Sequence, residues 1–346
     1  MLKITDTFKQ SLLEVYGEKE NSCERFMALT KKYKEYFHME EPEYFTSPGR
    51  MELIGNHTDH NGGKVLAASI QMDTIAAAGA NRTETVTILS EGYEQPFMLN
   101  LEELETIPGD EGTLSLLAGI FQGCRAYGFH VHGFQACIST NVLSAAGVSS
   151  SASFEMLICA IINYYFNENK MSCIDYARIG RYAENHYWNK QSGLMDQLAC
   201  AAGGMIFLDF SDSELPCVER MESKSILEGY DIILVNTGKG HGDLSRDYSE
   251  IPSEMKKVAA QMGKTVLSEA SLPLLLKKLP MIRENCGDRS FLRSLHFYEE
   301  NNRVDKAKAA LINRDTKELL ELINESGNSS WKYLQNCHIP SDTTEE

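Results

Sequence analysis

The sequence predicts an α+β protein in which short strands and helices are interleaved up to residue 237, with helices alone after it. Runs rich in Val, Ile, Thr and Ala alternate with segments whose apolar residues recur every three or four positions, the spacings of strands and of amphipathic helices. The order of these elements favours antiparallel sheets over a regular βαβ array. The 346 residues correspond to about two domains.

The elements are predicted from the N-terminus onwards. Residues 6–38 carry apolar positions at helical spacing and predict one or two amphipathic helices, and 43–55 predicts a strand broken at Ser47-Pro48-Gly49. Further strands are predicted at 64–70, 74–80, 85–89, 131–140 and 204–210. Helices are predicted between them at 112–127, 151–166, 172–189 and 194–201.

A polar stretch at 211–228 is the predicted domain boundary, so we expect one domain over 1–210 and a second over 211–346. The second domain opens with an apolar strand, DIILVNT, at 231–237. The segments after it follow a helical pattern, at 253–270, 272–279, 289–300, 303–313 and 315–325. A single strand at 231–237 would be short of sheet partners within its own domain.

The composition excludes several classes of protein. With 33 Lys and Arg against 49 Asp and Glu the net charge is −16, which argues against a general binder of nucleic acid or of anionic membranes. The N-terminus has no apolar signal region, and the most apolar helical stretch, 154–166, is too short to span a bilayer. Nine cysteines without a CxxC pair predict reduced thiols and a cytoplasmic protein.

The segment 47–63, SPGRMELIGNHTDHNGG, concentrates polar side chains between glycines. Asn56, His57 and Asp59 offer donors and acceptors in fixed directions, which suits a ligand with several hydroxyl groups. An ordinary polar turn is the alternative, because Asn, Asp and Gly are common turn residues. A metal site is a second alternative, but the HxHxDH pattern of di-zinc hydrolases requires histidine where this chain has Gly55.

Two later segments have features of a phosphate site. Three consecutive serines, 149–151, precede a predicted helix, where backbone N–H groups and the helix dipole favour phosphate, although a plain N-cap would also explain them. Asp196 follows a glycine turn twelve residues after Glu184. One carboxylate that accepts a hydroxyl proton and one that holds Mg²⁺ are the minimum for phosphoryl transfer. Two solvated acids are the alternative.

Taken in this order, the segments resemble those of a known family over about residues 44–330. The chain resembles the galactokinases, members of the GHMP small-molecule kinase superfamily. GRMELIGNHTDHNGG is similar to the galactokinase signature, AAGVSSSAS to the phosphate-binding motif of the superfamily, and SGLMDQLACAAGG to the segment of the catalytic aspartate. NTGKGHGDLSRDYSE resembles the stretch that holds a sugar-contacting tyrosine, and INESGNSS resembles the NESH-type helix.

The resemblance implies a two-lobed GHMP kinase fold, with a ribosomal-S5-domain-2-like N-terminal lobe and a ferredoxin-like C-terminal lobe. It implies ATP- and Mg²⁺-dependent phosphorylation of the C1 hydroxyl of galactose, with Asp196 as the base and Arg50 beside it. Sugar and ATP are the implied partners. The residues implied for the sugar are Asn56, His57, Asp59, Gly193 and Tyr248. Those implied for the phosphates are Gly147, Ser149, Ser150 and Ser151, and those for Mg²⁺ are Ser150 and Glu184.

The chain departs from the family pattern at three places. Asn56 replaces the usual Glu, and an amide both donates and accepts hydrogen bonds where a carboxylate only accepts. Leu143 and Ala145 replace a proline and a glycine of the phosphate loop. No late glycine-rich motif follows INESGNSS, so we expect a C-terminal lobe that is incomplete relative to the family. Two alternatives remain open: a non-catalytic regulator that binds sugar and ATP, and a kinase acting on another hexose or an amino sugar.

Overall fold

The computed structural model describes residues 6–17, 20–39, 41–109, 112–144, 146–188, 192–222, 227–230, 232–235 and 245–337. The chain divides into two compact units that interleave in sequence. Unit 1 comprises Met1–Gly49, Ile70–Ser144 and Val148–Ala201, and unit 2 comprises Arg50–Ser69, Ala145–Gly147 and Ala202–Glu346. The single domain boundary expected at residue 210 remains a prediction.

Strands and helices alternate along the described residues and are numbered in chain order. The strands are β1 (Glu43–Ile54), β2 (Lys64–Ala80), β3 (Thr85–Ser90), β4 (Phe97–Asn100), β5 (Phe134–Thr140), β6 (Met205–Asp209) and β7 (Cys217–Met221). The helices are α1 (Asp6–Tyr16), α2 (Glu20–Phe37), α3 (Thr113–Ala126), α4 (Ser150–Phe166), α5 (Cys173–Tyr187), α6 (Met195–Ala202), α7 (Ser245–Gln261), α8 (Leu272–Lys277), α9 (Leu279–Cys286), α10 (Asp288–Asn313) and α11 (Thr316–Ser329). None of these helices is both long enough and apolar enough to cross a bilayer.

Unit 1 is a sheet with helices on both faces. Its strand order is β4-β3-β5-β2, with β3 and β5 parallel and the other pairs antiparallel. Successive residues of β2 point to opposite faces. Ala76 and Ala78 join the core under α3, α4 and α5, while Ile75 and Ala77 join a core formed with α2. The expectation of antiparallel pairing is therefore wrong for β3 and β5, because β4 and α3 together form a crossover connection between them.

Unit 2 contains the first half of β2, which pairs with β6, and β6 pairs in turn with β7. The long helix α10 takes part in two cores of this unit. Val304 and Ala307 pack with residues of β2, β6 and α11, including Leu66. Phe297, nearer the start of α10, packs with residues of α7, α8 and α9, including Met255.

Most predicted helices are present, but the two predicted at 289–300 and 303–313 form one helix, α10, and the one predicted over 253–270 ends at Gln261. Several strands also differ from expectation. The runs predicted at 64–70 and 74–80 form one continuous strand, β2. β1 is continuous through Pro48, which is tolerated because β1 pairs only with β2 among the described strands and leaves an edge that needs no further hydrogen bonds. β4 was not predicted, and β7 lies inside the polar stretch 211–228.

The strand predicted at 231–237 is wrong for residues 232–235, the part of it that the structure describes. These four residues form no strand, and their apolar side chains are exposed, Ile233 to 79% and Val235 to 80%. A strand requires a neighbour for its backbone groups. None of the described strands pairs with this segment.

Candidate active site

A tight loop at 55–63, in unit 2, connects β1 to β2. Gly55 has φ +119°, and a Cβ at this position would lie 2.6 Å from the carbonyl oxygen of Lys64, so only glycine fits there. The buried Thr58 hydroxyl lies 2.8 Å from the carbonyl oxygen of Gly55 and 2.6 Å from that of Lys64. The backbone N–H of Gly63 donates to the carbonyl oxygen of Thr58. These hydrogen bonds fix the loop backbone that carries the polar side chains.

His57 occupies a strained position in this loop, with φ +60°. Its ring lies 4.7 Å from the ring of Tyr248 on α7 and 6.4 Å from that of His60. The Nδ1 atom of His57 is buried and has no hydrogen-bond partner in the part of the chain that the structure describes. An unpartnered buried nitrogen is costly, so this atom is suited to a hydrogen bond with a bound ligand.

Burial, and to a lesser degree the electrostatic effect of the neighbouring His60, His296 and Arg293, lowers the pKa of His57 from 6.5 to about 3. Below pH 6.5 the unfolded chain therefore takes up a proton that the folded chain does not. We expect the free energy of unfolding to decrease as the pH falls from 6.5 towards 3, by up to about 1.4 kcal/mol per pH unit from this group. Above pH 6.5, His57 makes its full contribution to the free energy of unfolding.

Urea unfolding between about pH 4 and about pH 7, on the wild type and on His57→Asn, measures this contribution. Asparagine tolerates the positive φ of position 57, which makes it the least disruptive replacement. The wild type is expected to lose more stability than the variant on acidification. Equal pH dependence in the two proteins would contradict a neutral His57 in the folded state.

Two buried side chains of α10 hold the start of the loop. The carboxylate of Glu300 accepts a hydrogen bond from the backbone N–H of Gly55 at 3.0 Å and a short one from the hydroxyl of Ser326 on α11. Arg303 donates to the same carboxylate at 2.7 Å and balances its charge. A buried carboxylate with these three partners is a rigid support for the backbone at Gly55.

His296 is fully buried and joins the loop to α11. One ring nitrogen, Nε2, lies 2.9 Å from the carbonyl oxygen of Asn56 and donates to it, and Nδ1 accepts from the hydroxyl of Ser329 at 2.8 Å. Burial lowers the pKa of His296, which favours this neutral form. The amide Nδ2 of Asn56 donates to the hydroxyl of Ser330 at 2.9 Å. Of the serines in INESGNSS, Ser330 therefore contacts the loop directly, while Ser326 and Ser329 act through Glu300 and His296 of α10.

The sequence patterns did not identify His296, Glu300 and Arg303 as site supports. A signal was present, because these three ionisable residues follow one another at intervals of four and three, which places them on one face of α10. All three are buried. Ionisable residues on a buried helix face require partners, which here are the loop and α11.

Two carboxylates lie at the start of α4, in unit 1. Ser149 precedes α4 with a strained φ of +58°, and its hydroxyl donates to Asp196 Oδ2 at 2.6 Å. The hydroxyl of Ser151 donates to Glu184 Oε1 at 3.2 Å. Gln197 is buried, and its amide donates to Glu184 Oε2 at 3.2 Å. The first turn of α4 therefore contacts one carboxylate from α6 and one from α5.

The remaining predicted residues are divided between the two units. Gly193 lies in unit 1, while Arg50, Gly147, Asp59 and Tyr248 lie in unit 2. Arg50 donates to the carbonyl oxygen of Gly147 at 2.6 Å. The expected position of Arg50 beside Asp196 remains a prediction. Of the replaced loop residues, Leu143 is exposed, and Ala145 lies outside the described residues.

The oxygen donors at α4 fit a magnesium ion. Mg²⁺ prefers hard oxygen ligands and is usually held by one or two carboxylates, water and the phosphates of a substrate. Glu184 supplies such a carboxylate, and the hydroxyl that contacts it belongs to Ser151, whereas the resemblance named Ser150. Across the described residues, no group of three or more His, Cys, Asp or Glu is arranged to hold a metal.

Comparisons with known proteins identify the family that the chain resembles. Residues 115–204 match the GHMP kinases N terminal domain, and residues 31–80 match the galactokinase galactose-binding signature. A crystal structure of a mevalonate kinase shares the fold, with a TM-score of 0.54 at 12% identity over 84% of this chain and 80% of that one. The family match and the fold therefore define a GHMP-type small-molecule kinase.

Its relatives define the family more closely. The galactokinase of Lactococcus lactis subsp. lactis is 31% identical over 307 residues, covering 86% of this chain and 75% of that protein. The galactokinase of Clostridium tetani is 30% identical, covering 82% and 71%. The crystal structure of Lactococcus lactis galactokinase complexed with galactose has a TM-score of 0.74 at 27% identity, covering 89% and 80%. The chain belongs to the galactokinase family and is a sugar kinase that uses ATP.

Proposed function

We propose that this kinase transfers the γ-phosphoryl group of ATP to the C1 hydroxyl of galactose, giving galactose 1-phosphate and ADP. The main support is the pair of carboxylates at the start of α4, where Ser149 contacts Asp196 and Ser151 contacts Glu184. One acid can accept a proton while the other holds a metal, at a helix N-terminus that favours phosphate.

In the proposed reaction Asp196 accepts the proton of the C1 hydroxyl as the sugar oxygen attacks the γ-phosphorus. The bond from the γ-phosphorus to the β–γ bridging oxygen breaks, and ADP leaves with the electron pair. The backbone N–H groups at Ser150 and Ser151, with Ser149 and Gly147, are proposed to bind the phosphate oxygens. Arg50 is proposed to balance the charge that develops on the transferred group.

Ser151 and Glu184 are proposed to hold Mg²⁺, with Ser151 taking the role first assigned to Ser150. The hydrogen bond from Gln197 fixes the second oxygen of Glu184 and so sets the direction of the carboxylate. The bound ion would neutralise negative charge on the phosphates of ATP.

The loop at 55–63 is proposed to bind the sugar through Asn56, His57 and Asp59, together with Gly193 and Tyr248. A neutral His57 with an unpartnered Nδ1 is suited to a sugar hydroxyl, because a neutral ring needs no counter-charge. The relative whose crystal structure contains galactose supports that sugar as the substrate. A cytoplasmic location is part of the proposal, because nine cysteines without a CxxC pair suit a reducing compartment.

Release of ADP in the presence of ATP, Mg²⁺ and a panel of hexoses and amino sugars tests the proposal. Turnover on galactose that Asp196→Asn abolishes is the expected result. Turnover on another sugar alone would overturn galactose as the substrate and keep the chemistry. Binding of sugar and ATP without turnover on any sugar would favour the non-catalytic regulator.

Asn56→Glu is expected to change the sugar preference. In the wild type the Asn56 amide donates to Ser330, whereas a glutamate would accept a hydrogen bond from the Ser330 hydroxyl instead. Its carboxylate would also bind a donating sugar hydroxyl more strongly than the amide does. We expect kcat/KM for galactose, relative to other hexoses, to rise about tenfold. Asn56→Gln, which keeps the amide, is the control. An unchanged order of kcat/KM across the panel of sugars would show that the side chain of residue 56 does not recognise a sugar hydroxyl.

A further inference from the structure

The loop between β5 and α4, described at 141–144 and 146–149, begins with a pair of hydrogen bonds from Asn141 to β2 within unit 1. The backbone N–H of Asn141 donates to the carbonyl oxygen of Asp73 at 3.1 Å, and the Asn141 side-chain oxygen accepts from the backbone N–H of Asp73 at 2.6 Å. This closed pair leaves Asn141 little freedom relative to Asp73. The position of Asp73 therefore sets where the loop starts.

A chain of three hydroxyls fixes the loop at both of its ends. Thr140 accepts from the backbone N–H of Val142 at 3.1 Å and lies 2.9 Å from the hydroxyl of Thr74. The Thr74 hydroxyl lies 2.8 Å from that of Ser153 in the first turn of α4, which donates to the carbonyl oxygen of Ser47 at 2.8 Å. Each hydroxyl has one proton, so donation runs in one direction from Thr140 to Ser47.

β1 approaches the same loop closely at Gly49. A Cβ at this position would lie 2.8 Å from the carbonyl oxygen of Val148 and 3.1 Å from a methyl carbon of Val142. The two ends of the loop therefore pack against one glycine. Neighbouring residues of β1 and β2 thus define both ends of the loop.

The carboxylate of Asp73 is held by residues from the N-terminal helices. Its side chain is only 6% exposed and pairs with Arg25 of α2, Nη1 to Oδ1, at 2.6 Å. Thr46 of β1 donates to the other carboxylate oxygen at 2.7 Å, and the hydroxyl of Tyr16 of α1 donates to that same oxygen. A buried carboxylate needs such partners, because an unpaired charge in the interior is costly.

We propose that the Asp73 anchor, defined as Tyr16, Arg25, Thr46, Asp73 and Asn141, positions the two ends of the loop between β5 and α4, residues 141–144 and 148–149, for the phosphates of ATP. The inference rests on the proposed function, in which this loop and the start of α4 bind those phosphates. Tyr16 and Arg25 precede residue 31, where the match to the galactose-binding signature begins. The N-terminal helices then support nucleotide binding as positioning elements that act through Asp73.

Arg25→Met tests the anchor, because it keeps a long side chain and leaves the Asp73 carboxylate without its cation. Calorimetry with AMPPNP, a non-hydrolysable ATP analogue, and Mg²⁺ measures nucleotide affinity without sugar. We expect this affinity to fall about five- to tenfold, the effect of a lost charge-assisted hydrogen bond. Galactose affinity is expected to change less than about twofold. Tyr16→Phe, which removes one hydroxyl, is the milder variant if Arg25→Met does not fold.

Asn141→Ala and Asn167→Ala form a matched pair. Asn167 follows the opposite end of α4, and its side-chain oxygen accepts from the backbone N–H of His130 at 2.9 Å, as that of Asn141 does from Asp73. Both substitutions are expected to lower the melting temperature. Only Asn141→Ala is expected to weaken AMPPNP binding.

Unchanged AMPPNP affinity in the folded Arg25→Met or Tyr16→Phe protein would overturn the anchor. Equal weakening of AMPPNP and galactose, or equal weakening by Asn141→Ala and Asn167→Ala, would also overturn it by showing a general structural role. Wild-type protein that binds AMPPNP but does not phosphorylate galactose would contradict the proposed substrate alone. Wild-type protein that does not bind AMPPNP would overturn both proposals.

Discussion

Asp196→Asn is expected to lower kcat about a thousandfold while galactose binding persists. Asparagine has the size of aspartate, and its side-chain oxygen can still accept the hydrogen bond from Ser149. It cannot take up the proton of the C1 hydroxyl, and removal of a general base costs about 10²–10⁴ in rate. Steady-state release of ADP measures kcat, and calorimetry measures galactose affinity.

Ser149→Ala is the matched control for this prediction. It removes the hydrogen bond to Asp196 and leaves the carboxylate able to accept a proton, so we expect a loss of only about tenfold in kcat. A kcat for Asp196→Asn within about threefold of the wild type would remove Asp196 as the base. A larger loss of kcat in Ser149→Ala than in Asp196→Asn would show that the start of α4, and not Asp196, makes the larger contribution to kcat.

The same experiment bears on the non-catalytic alternative. A protein that only binds sugar and ATP has no physical need for a base, so Asp196→Asn would leave its binding and its signalling unchanged. The sequence of this chain contains all three of Arg50, Glu184 and Asp196. The hydroxyls of Ser149 and Ser151 hold two of these three groups in place. Under the proposed function that arrangement serves catalysis, whereas binding alone has no use for it.

The fold could be predicted wherever local patterns decide it. The helical spacing of apolar residues predicted one or two helices over 6–38 and a helix at 151–166, because apolar residues at that spacing pack into the cores beside α1, α2 and α4. Local patterns could not show that β2 is continuous through 70–74, since polar residues there are held by long-range partners such as Asn141. Nor could they give the parallel pairing of β3 and β5, which depends on contacts far apart in sequence.

The candidate site was predicted as a set of segments rather than as a set of contacts. The motifs pointed to Ser149, Ser151, Glu184 and Asp196, but spacing alone could not show which serine contacts which carboxylate. The Asp73 anchor lay beyond sequence reasoning, because its members come from α1, α2, β1, β2 and the loop after β5. The one local signal was Asp73, the single acidic residue of the mostly apolar strand β2.

Glu184→Gln is expected to raise the Mg²⁺ concentration needed for half-maximal activity and to lower kcat about a hundredfold. Glutamine keeps the size of the side chain and an oxygen that can accept from Ser151, but it loses the negative charge that a hard cation requires. Titration of ADP release with Mg²⁺ at saturating ATP measures the effect. Circular dichroism and the melting temperature show whether the variant is folded.

Glu155→Gln is the matched control, because the side-chain amide of one residue, Gln197, donates hydrogen bonds to two buried carboxylates. Gln197 donates to Glu155 and to Glu184 at the same distance, 3.2 Å, whereas Ser151 contacts Glu184. If Glu184 holds the ion, Glu155→Gln changes stability and leaves the Mg²⁺ requirement close to that of the wild type. Equal shifts in the Mg²⁺ requirement for the two variants would mean that burial of charge around Gln197, and not coordination by Glu184, sets the metal dependence.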